Sequence, residues 1–188
     1  MDIFVIGATG FVGGHLARHL AAEGHTVTGL ARTGAAAATL RGQGITPVAA
    51  DLEARRPAVV AAALRADAVV YAARAAPDQE SATVRDLTRA LAGTGRTLVL
   101  LSGSGVLMQR TGGAWSPDVF AERDPFTPEP LAAFRKAAED AVLAAAGDGV
   151  RAMVVRPGLI WAPATTATCR WSTGPSPRPG RPPVSGRG

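Results

Sequence analysis

Cysteine, lysine and tyrosine each occur once in the 188-residue sequence, as Cys169, Lys136 and Tyr71. A single cysteine excludes a disulfide framework and a zinc site with several cysteine ligands. No apolar run approaches the roughly 18 residues of a membrane span. Met1 is followed directly by a strand-like segment instead of a signal peptide. These absences predict a cytoplasmic protein that does not contact membranes.

Acidic residues are the minority, with 15 Asp and Glu against 20 Lys and Arg and a net charge of +5. Four of the arginines lie in residues 164–188, which contain no acid, so the remaining chain has 16 basic and 15 acidic side chains. That body contains no basic stripe interleaved with aromatic residues, the pattern typical of nucleic-acid binding. We therefore predict no nucleic-acid partner.

The body of the chain alternates apolar strand-like runs with helical patterns, which predicts βαβ units. Right-handed crossovers then give an α/β fold, a Rossmann-type doubly wound parallel sheet with helices on both faces. A Gly/Pro-rich loop is expected over residues 103–128. The predicted strands are Asp2–Gly7, Thr26–Ala31, Thr46–Ala50, Ala68–Ala73, Thr97–Ser102 and Val150–Arg156, and the predicted helices are Phe11–Glu23, Ala35–Gly42, Arg55–Leu64, Gln79–Ala92 and Pro130–Ala146.

The last 25 residues, 164–188, differ in composition from the rest, with five Pro, four Gly, four Arg and three Ser. No apolar periodicity continues there, so we predict a disordered tail after a single domain over residues 1–163. His15 and His19 have the i, i+4 spacing of metal ligands, but no Cys or carboxylate accompanies them at a suitable spacing. We interpret them as a solvated helix face and predict no metal site.

A glycine-rich segment, Gly7-Ala8-Thr9-Gly10-Phe11-Val12-Gly13, lies between the first predicted strand and the first predicted helix. Gly7 permits a tight turn, Gly10 lets a pyrophosphate approach the backbone, and Gly13 lets the helix pack against the sheet. The helix N-terminus then offers free amides to the phosphates. The residues of this segment predicted to bind a dinucleotide are Gly7, Thr9, Gly10, Phe11, Val12 and Gly13.

Two further residues follow the second and third predicted strands. No acid stands near Arg32 to bind a ribose diol, and an arginine there suits a 2′-phosphate, which favours NADP over NAD. The alternative is an ordinary surface arginine at a strand end. Asp51 either accepts a hydrogen bond from the adenine amino group or caps the N-terminus of the following helix.

Several segments together resemble the short-chain dehydrogenase/reductase superfamily, in particular its extended or atypical NAD-dependent epimerase/dehydratase branch. The resemblance implies that Leu52 flanks the adenine, that Ala72 and Ala73 line the ribose path, and that Pro157 and Gly158 face the nicotinamide. The family's catalytic serine position falls nearest Gly103, so either Ser102 or Ser104 would polarise the substrate, or both are ordinary polar groups at a strand end. The resembling segments are Gly7–Gly13, Asp51-Leu52, Tyr71-Ala72-Ala73, Leu101–Val106, Pro130–Glu139 and Arg156–Pro163.

The family's Tyr-x-x-x-Lys pair, in which tyrosine is the general acid/base, is absent. When Pro130–Glu139 is aligned with the family pattern, Leu131 stands at the tyrosine position and Arg135 at the lysine position. Lys136 lies one residue further on. Leucine has no ionisable proton, whereas Arg135 can still bind ribose hydroxyls or a phosphate. The resemblance therefore implies Ser102, Ser104 and Arg135 as the catalytic candidates.

The resemblance covers residues 1–163 and implies hydride transfer between the nicotinamide and an alcohol or carbonyl of a small-molecule substrate. The family's smaller C-terminal substrate subdomain is largely missing, and the tail reads as a possible frameshift product. An uncovered sheet edge would promote association, so a homo-oligomer is possible. Two alternatives stay open: an NADP-binding sensor without turnover, and an inactive fragment of a disrupted gene.

Overall fold

The computed structural model describes residues 1–121 and 124–161, and the tail predicted over 164–188 lies outside these residues. Strands and helices alternate along the chain, as the apolar pattern predicts. The strands are β1 (Asp2–Ile6), β2 (Thr26–Ala31), β3 (Thr46–Ala49), β4 (Ala68–Tyr71), β5 (Thr97–Leu101) and β6 (Arg151–Val155), and the helices are α1 (Phe11–Ala22), α2 (Gly34–Gly42), α3 (Arg56–Ala63), α4 (Pro77–Leu91) and α5 (Ala133–Ala144).

The six strands form one sheet in the order β3-β2-β1-β4-β5-β6, and every neighbouring pair is parallel. β1 lies at the centre of the sheet, with Phe4 opposite Thr28 of β2 on one side and Val69 of β4 on the other. The strand order changes direction between β1 and β4, which is where doubly wound folds bind their ligands. The predicted Rossmann-type sheet is confirmed.

Both faces of the sheet are covered by helices, which explains why its central strands are apolar throughout. Phe4 and Ile6 of β1 face the larger core, which α3, α4 and α5 cover. Ile3 and Val5 face the smaller core beneath α1 and α2. No helix in the part of the chain that the structure describes is long and apolar enough to cross a membrane.

All of the predicted strands and helices are present, and they differ from the prediction only in their first or last residues. The fourth strand ends at Tyr71 instead of Ala73, and α4 begins at Pro77, because proline fits the first turn of a helix. α5 is shorter than Pro130–Ala146, since a 3-10 turn over Ala145–Asp148 follows it. The long loop predicted over 103–128 begins with another 3-10 turn, Ser104–Leu107.

A buried ion pair joins α5 to the segment that follows β6. Glu139 is fully buried, and Arg156 donates to both of its carboxyl oxygens, with Nη2 2.6 Å from Oε2 and Nε 3.1 Å from Oε1. The guanidinium carbon of Arg156 also lies 5.9 Å from the ring centre of Phe126, and Lys136 Nζ lies 5.5 Å from it. The pair therefore holds the long loop, α5 and the end of β6 together.

A second buried acid, Glu80 of α4, lies near Tyr71 and Arg135. Arg135 Nη1 is 3.0 Å from Glu80 Oε2, while the Glu80 side chain has no solvent exposure. Within the described ranges, neither Glu80 oxygen nor the Tyr71 hydroxyl has a hydrogen-bond partner. Burial raises the pKa of Glu80, and the charge of Arg135 only partly opposes this shift. Burial, with a smaller contribution from Glu80, also raises the pKa of Tyr71.

The Glu139–Arg156 pair is expected to contribute strongly to stability. Glu139→Gln should lower the free energy of unfolding by about 3 kcal/mol, because it leaves a guanidinium without its carboxylate. Asp140→Asn, on the same helix, removes an exposed partner of Lys136 and should cost less than about 1 kcal/mol. Urea unfolding of both variants measures the difference, and equal losses would contradict this assignment.

Glu80 should make stability depend on pH. Because its pKa is raised in the folded protein, the folded state holds the proton more tightly than the unfolded chain does. The free energy of unfolding then falls as pH rises from the ordinary value of 4.5 through the raised pKa. The glutamine side chain of Glu80→Gln stays neutral at every pH. The melting temperature of this variant should therefore rise relative to that of the wild type as pH rises. A pH-independent difference between the two melting temperatures would refute this account.

Candidate cofactor site

The glycine turn between β1 and α1 is packed directly against the end of β4. Gly7 has φ +96°, in the left-handed region that favours glycine, and its carbonyl accepts the Gly10 N–H at 2.8 Å. A Cβ on Gly7 would lie 2.6 Å from the Ala72 carbonyl oxygen, and one on Gly13 would lie 2.3 Å from the Gly7 carbonyl oxygen. Backbone contacts therefore require glycine at both positions.

The surroundings of Gly10 are less crowded than those of Gly7 and Gly13. A Cβ there would meet only the Gly7 carbonyl oxygen, at 3.2 Å, and no other protein atom within 4 Å. Gly10 precedes α1 without a side-chain cap, so the first amides of the helix have no side-chain acceptor. Free amides and the positive end of the helix dipole together suit an anionic group.

A cavity of about 690 Å³ opens at the carboxyl ends of the strands, in front of this turn. Its size is typical of sites for small molecules and cofactors. Its walls come from the loops after β1, β2, β3 and β4, on both sides of the point where strand order changes direction. The predicted residues that line it are Gly7, Thr9, Gly10, Phe11, Val12, Arg32, Asp51, Leu52, Ala72 and Ala73.

Asp51 is not the N-cap of α3, which was one of its two predicted roles, because Arg55 occupies that position without a side-chain cap. The Asp51 carboxylate instead holds the turn that precedes the helix. Its Oδ1 accepts the backbone N–H groups of Glu53, Ala54 and Arg55 at 2.9, 2.7 and 3.1 Å. Hydrogen bonds from the Glu53 and Arg55 backbone are the main reason that the pKa of Asp51 falls to about 2. The carboxylate is thus ionised at neutral pH and holds the turn before α3, while the residue also lines the cavity.

Two arginines line the cavity. Arg32 follows β2, as the sequence predicts, whereas Arg74 follows β4 and is missing from the predicted site. Both side chains are exposed, and neither forms an ion pair with any residue in 1–121 or 124–161. Arg74 directly follows Ala73, a predicted site residue, and this adjacency is the feature of the sequence that could have located it.

The two predicted serines lie just beyond the cavity, after β5. Ser102 N–H donates to the Val155 carbonyl at 2.8 Å, and Ser104 N–H donates to the Pro157 carbonyl at 2.9 Å. The structure thereby places the serines next to the segment that contains Pro157 and Gly158. Ser102 Oγ is buried without a hydrogen-bond partner among the described residues. Neither serine lines the cavity, which reaches the neighbouring Leu101.

Neither residue at the positions of the Tyr-x-x-x-Lys pair, Leu131 or Arg135, lines the cavity. Leu131 is 71% exposed, and Arg135 is paired with Glu80 and does not line the cavity. Tyr71 is only 1% exposed and lies beneath the cavity wall. Among the lining residues that the structure describes, Thr9 has the only hydroxyl group.

The histidine pair on α1 shows no metal-binding arrangement. His15 Nδ1 lies 2.7 Å from the Phe11 carbonyl oxygen, and its ring meets the Phe11 ring edge-on at 5.1 Å. Over the described parts of the chain, no three His, Cys, Asp or Glu side chains come together as a metal site.

Comparison with known proteins adds three relatives. The chain is 32% identical over 165 residues to an uncharacterised protein of Schizosaccharomyces pombe, covering 83% of this chain and 52% of that protein. A proposed epimerase from Burkholderia cenocepacia is 30% identical, with a TM-score of 0.62 over 84% of this chain and 54% of that one. UDP-glucose 4-epimerase from Thermus thermophilus, solved with NAD, is 22% identical, with a TM-score of 0.66 over 83% and 54%.

The chain thus spans about half the length of the relatives it matches. A family model described as NAD(P)H-binding matches residues 7–181, which begin at the first glycine of the turn and include every lining residue of the cavity. With the glycine turn, the strand order and this match in agreement, the chain belongs to the NAD(P)H-binding family and has a Rossmann-type fold.

Proposed function

We propose that the protein binds NADP in preference to NAD and transfers hydride between the nicotinamide and an alcohol or carbonyl carbon of a small substrate. The observation that supports the cofactor preference is Arg32, an exposed guanidinium without an ion pair in the described ranges, on the wall of the cavity. A planar guanidinium matches a phosphate group by forming two parallel hydrogen bonds. No acid lines the cavity at the end of β2, where a ribose diol would otherwise be bound.

In this proposal the glycine turn receives the pyrophosphate at the Gly10 surface and at the first amides of α1. Asp51 and Leu52 flank the adenine, and Ala72 and Ala73 line the ribose path. Pro157 and Gly158 face the nicotinamide, and Ser102 or Ser104 orients the substrate. Arg135, at the lysine position, is the predicted ribose contact, although its guanidinium pairs with Glu80 and does not line the cavity. The cofactor, when bound, supplies or accepts the hydride.

A second function, an NADP-binding sensor without turnover, is supported by the missing proton donor. Leu131 has no ionisable group, and Tyr71 is buried away from the cavity. Cytoplasmic location and homo-oligomer formation stay predictions.

Substitution of two glycines should separate binding from folding. Gly10→Ala places its methyl group 3.2 Å from the Gly7 carbonyl oxygen and near no other protein atom, so a small shift of the turn should let the variant fold, yet it should bind NADP at least about tenfold more weakly. Gly13→Ala meets the Gly7 backbone and should lower the melting temperature instead. Calorimetric titration and thermal unfolding of both variants make the comparison. Normal NADP binding by Gly10→Ala would contradict the proposed phosphate site.

Calorimetry with NADP and NAD tests the cofactor preference. Arg32→Gln should weaken NADP binding by roughly 10- to 100-fold, the value of a charge-assisted hydrogen bond to phosphate, and leave NAD binding within about twofold. Arg41→Gln on the exposed end of α2 removes the same charge outside the cavity and should change neither affinity. Equal loss for both cofactors would refute the role of Arg32.

Turnover is then followed by the absorbance of the reduced nicotinamide with a panel of carbonyl substrates and alcohols. Cofactor oxidation or reduction that depends on the added substrate supports the enzyme. Tight NADP binding without turnover on the whole panel favours the sensor. Absence of binding to either cofactor would overturn both functions.

A further inference from the structure

We propose that Arg74 is a second phosphate-binding residue, which holds the pyrophosphate of the bound dinucleotide from beside the glycine turn. This inference rests on the proposed cofactor binding and extends it to a residue with no counterpart in the glycine pattern. In this arrangement Arg32 binds the 2′-phosphate and Arg74 binds the pyrophosphate.

The first argument is the contact between two backbones. A Cβ on Gly7 would lie 2.6 Å from the Ala72 carbonyl oxygen and 2.8 Å from the Ala73 amide nitrogen. A Cβ on Gly13 would lie 3.3 Å from Ala72 Cβ. The end of β4 therefore touches the glycine turn from both its first and its last glycine. Arg74 is the next residue after Ala73, one peptide unit or about 3.8 Å further along the chain.

The second argument is charge. The first turn of α1 contains no charged side chain, so the glycine turn provides only amides and the helix dipole. Arg32 and Arg74 are the two basic residues on the cavity wall, and β1 lies between the strands they follow. A dinucleotide pyrophosphate carries two negative charges, and a guanidinium in bidentate contact neutralises one of them, which leaves the other to the amides and dipole of α1.

The third argument is that neither acid on the cavity wall, Asp51 or Glu53, forms an ion pair with Arg74. Asp51 accepts three backbone N–H groups and the side chain of Arg55. Glu53 accepts the side-chain amide of Gln79 at 3.1 Å. Arg74 has no ion pair with any residue that the structure describes. Its charge is therefore left for a ligand in the cavity.

Binding measurements with three ligands test this arrangement. NAD contains the pyrophosphate only, adenosine 2′-monophosphate contains the 2′-phosphate only, and NADP contains both. Arg74→Gln should weaken NAD and NADP by about tenfold and leave adenosine 2′-monophosphate, measured by competition against NADP, within about twofold. Arg32→Gln should show the reverse pattern for NAD and adenosine 2′-monophosphate. Arg41→Gln is the control for the loss of one surface charge.

Salt dependence and a conservative variant give independent readouts. Added salt should weaken NAD binding less in Arg74→Gln than in the wild type, because one ionic contact is gone. Arg74→Lys should recover part of the affinity, since lysine keeps the charge without the planar fork. The melting temperatures of these exposed-site variants should match that of the wild type.

Two results would overturn the role of Arg74. Wild-type affinity of Arg74→Gln for NAD shows that its guanidinium does not touch the pyrophosphate. Equal loss for all three ligands shows an effect of overall charge instead of a phosphate contact. Failure of the proposed function looks different, because then the wild-type protein binds neither NAD nor NADP.

Discussion

The close approach of three backbone segments is the constraint on which the site depends. Gly7, Gly13 and Ala72 leave no room for a further methyl group between them, as the 2.3 and 2.6 Å Cβ contacts show. This approach places the N-terminus of α1 and the end of β4 against one another, and both then border the same cavity. Larger residues at Gly7 or Gly13 would separate the helix from the sheet and open the place where strand order changes direction.

Two buried acids place the helices that carry the rest of the site. Glu139 binds Arg156 and so connects α5 with the segment of Pro157, while Glu80 connects α4 with Arg135. The two ion pairs differ in their hydrogen bonds. Arg156 makes hydrogen bonds to both oxygens of Glu139, whereas the Glu80 oxygens have an ion-pair contact without a hydrogen bond inside the described ranges. Buried charges that lack hydrogen bonds are costly, so Glu80 is the weaker arrangement.

Much of the fold was predictable because each strand and helix has its own local pattern. The apolar runs located all six strands of the sheet to within one or two residues, and the glycine spacing located the turn. Element ends were less predictable, since the end of β4 depends on contact with Gly7, which is distant in sequence. Arg74 was missed because it belongs to no motif and becomes significant only beside the turn. That Asp51 holds the turn before α3 depends on the positions of three backbone amides, which no local pattern indicates.

The alternation of strands and helices, the glycine turn and the leucine at the family's tyrosine position, Leu131, can all be read from the amino-acid sequence. These properties depend on residue type and on neighbours a few positions away. The burial of Tyr71, the pairing of Arg135 with Glu80 and the shared cavity of Arg32 and Arg74 become visible only in the folded chain. Such contacts join residues from different strands and helices, and their geometry follows from how those elements pack.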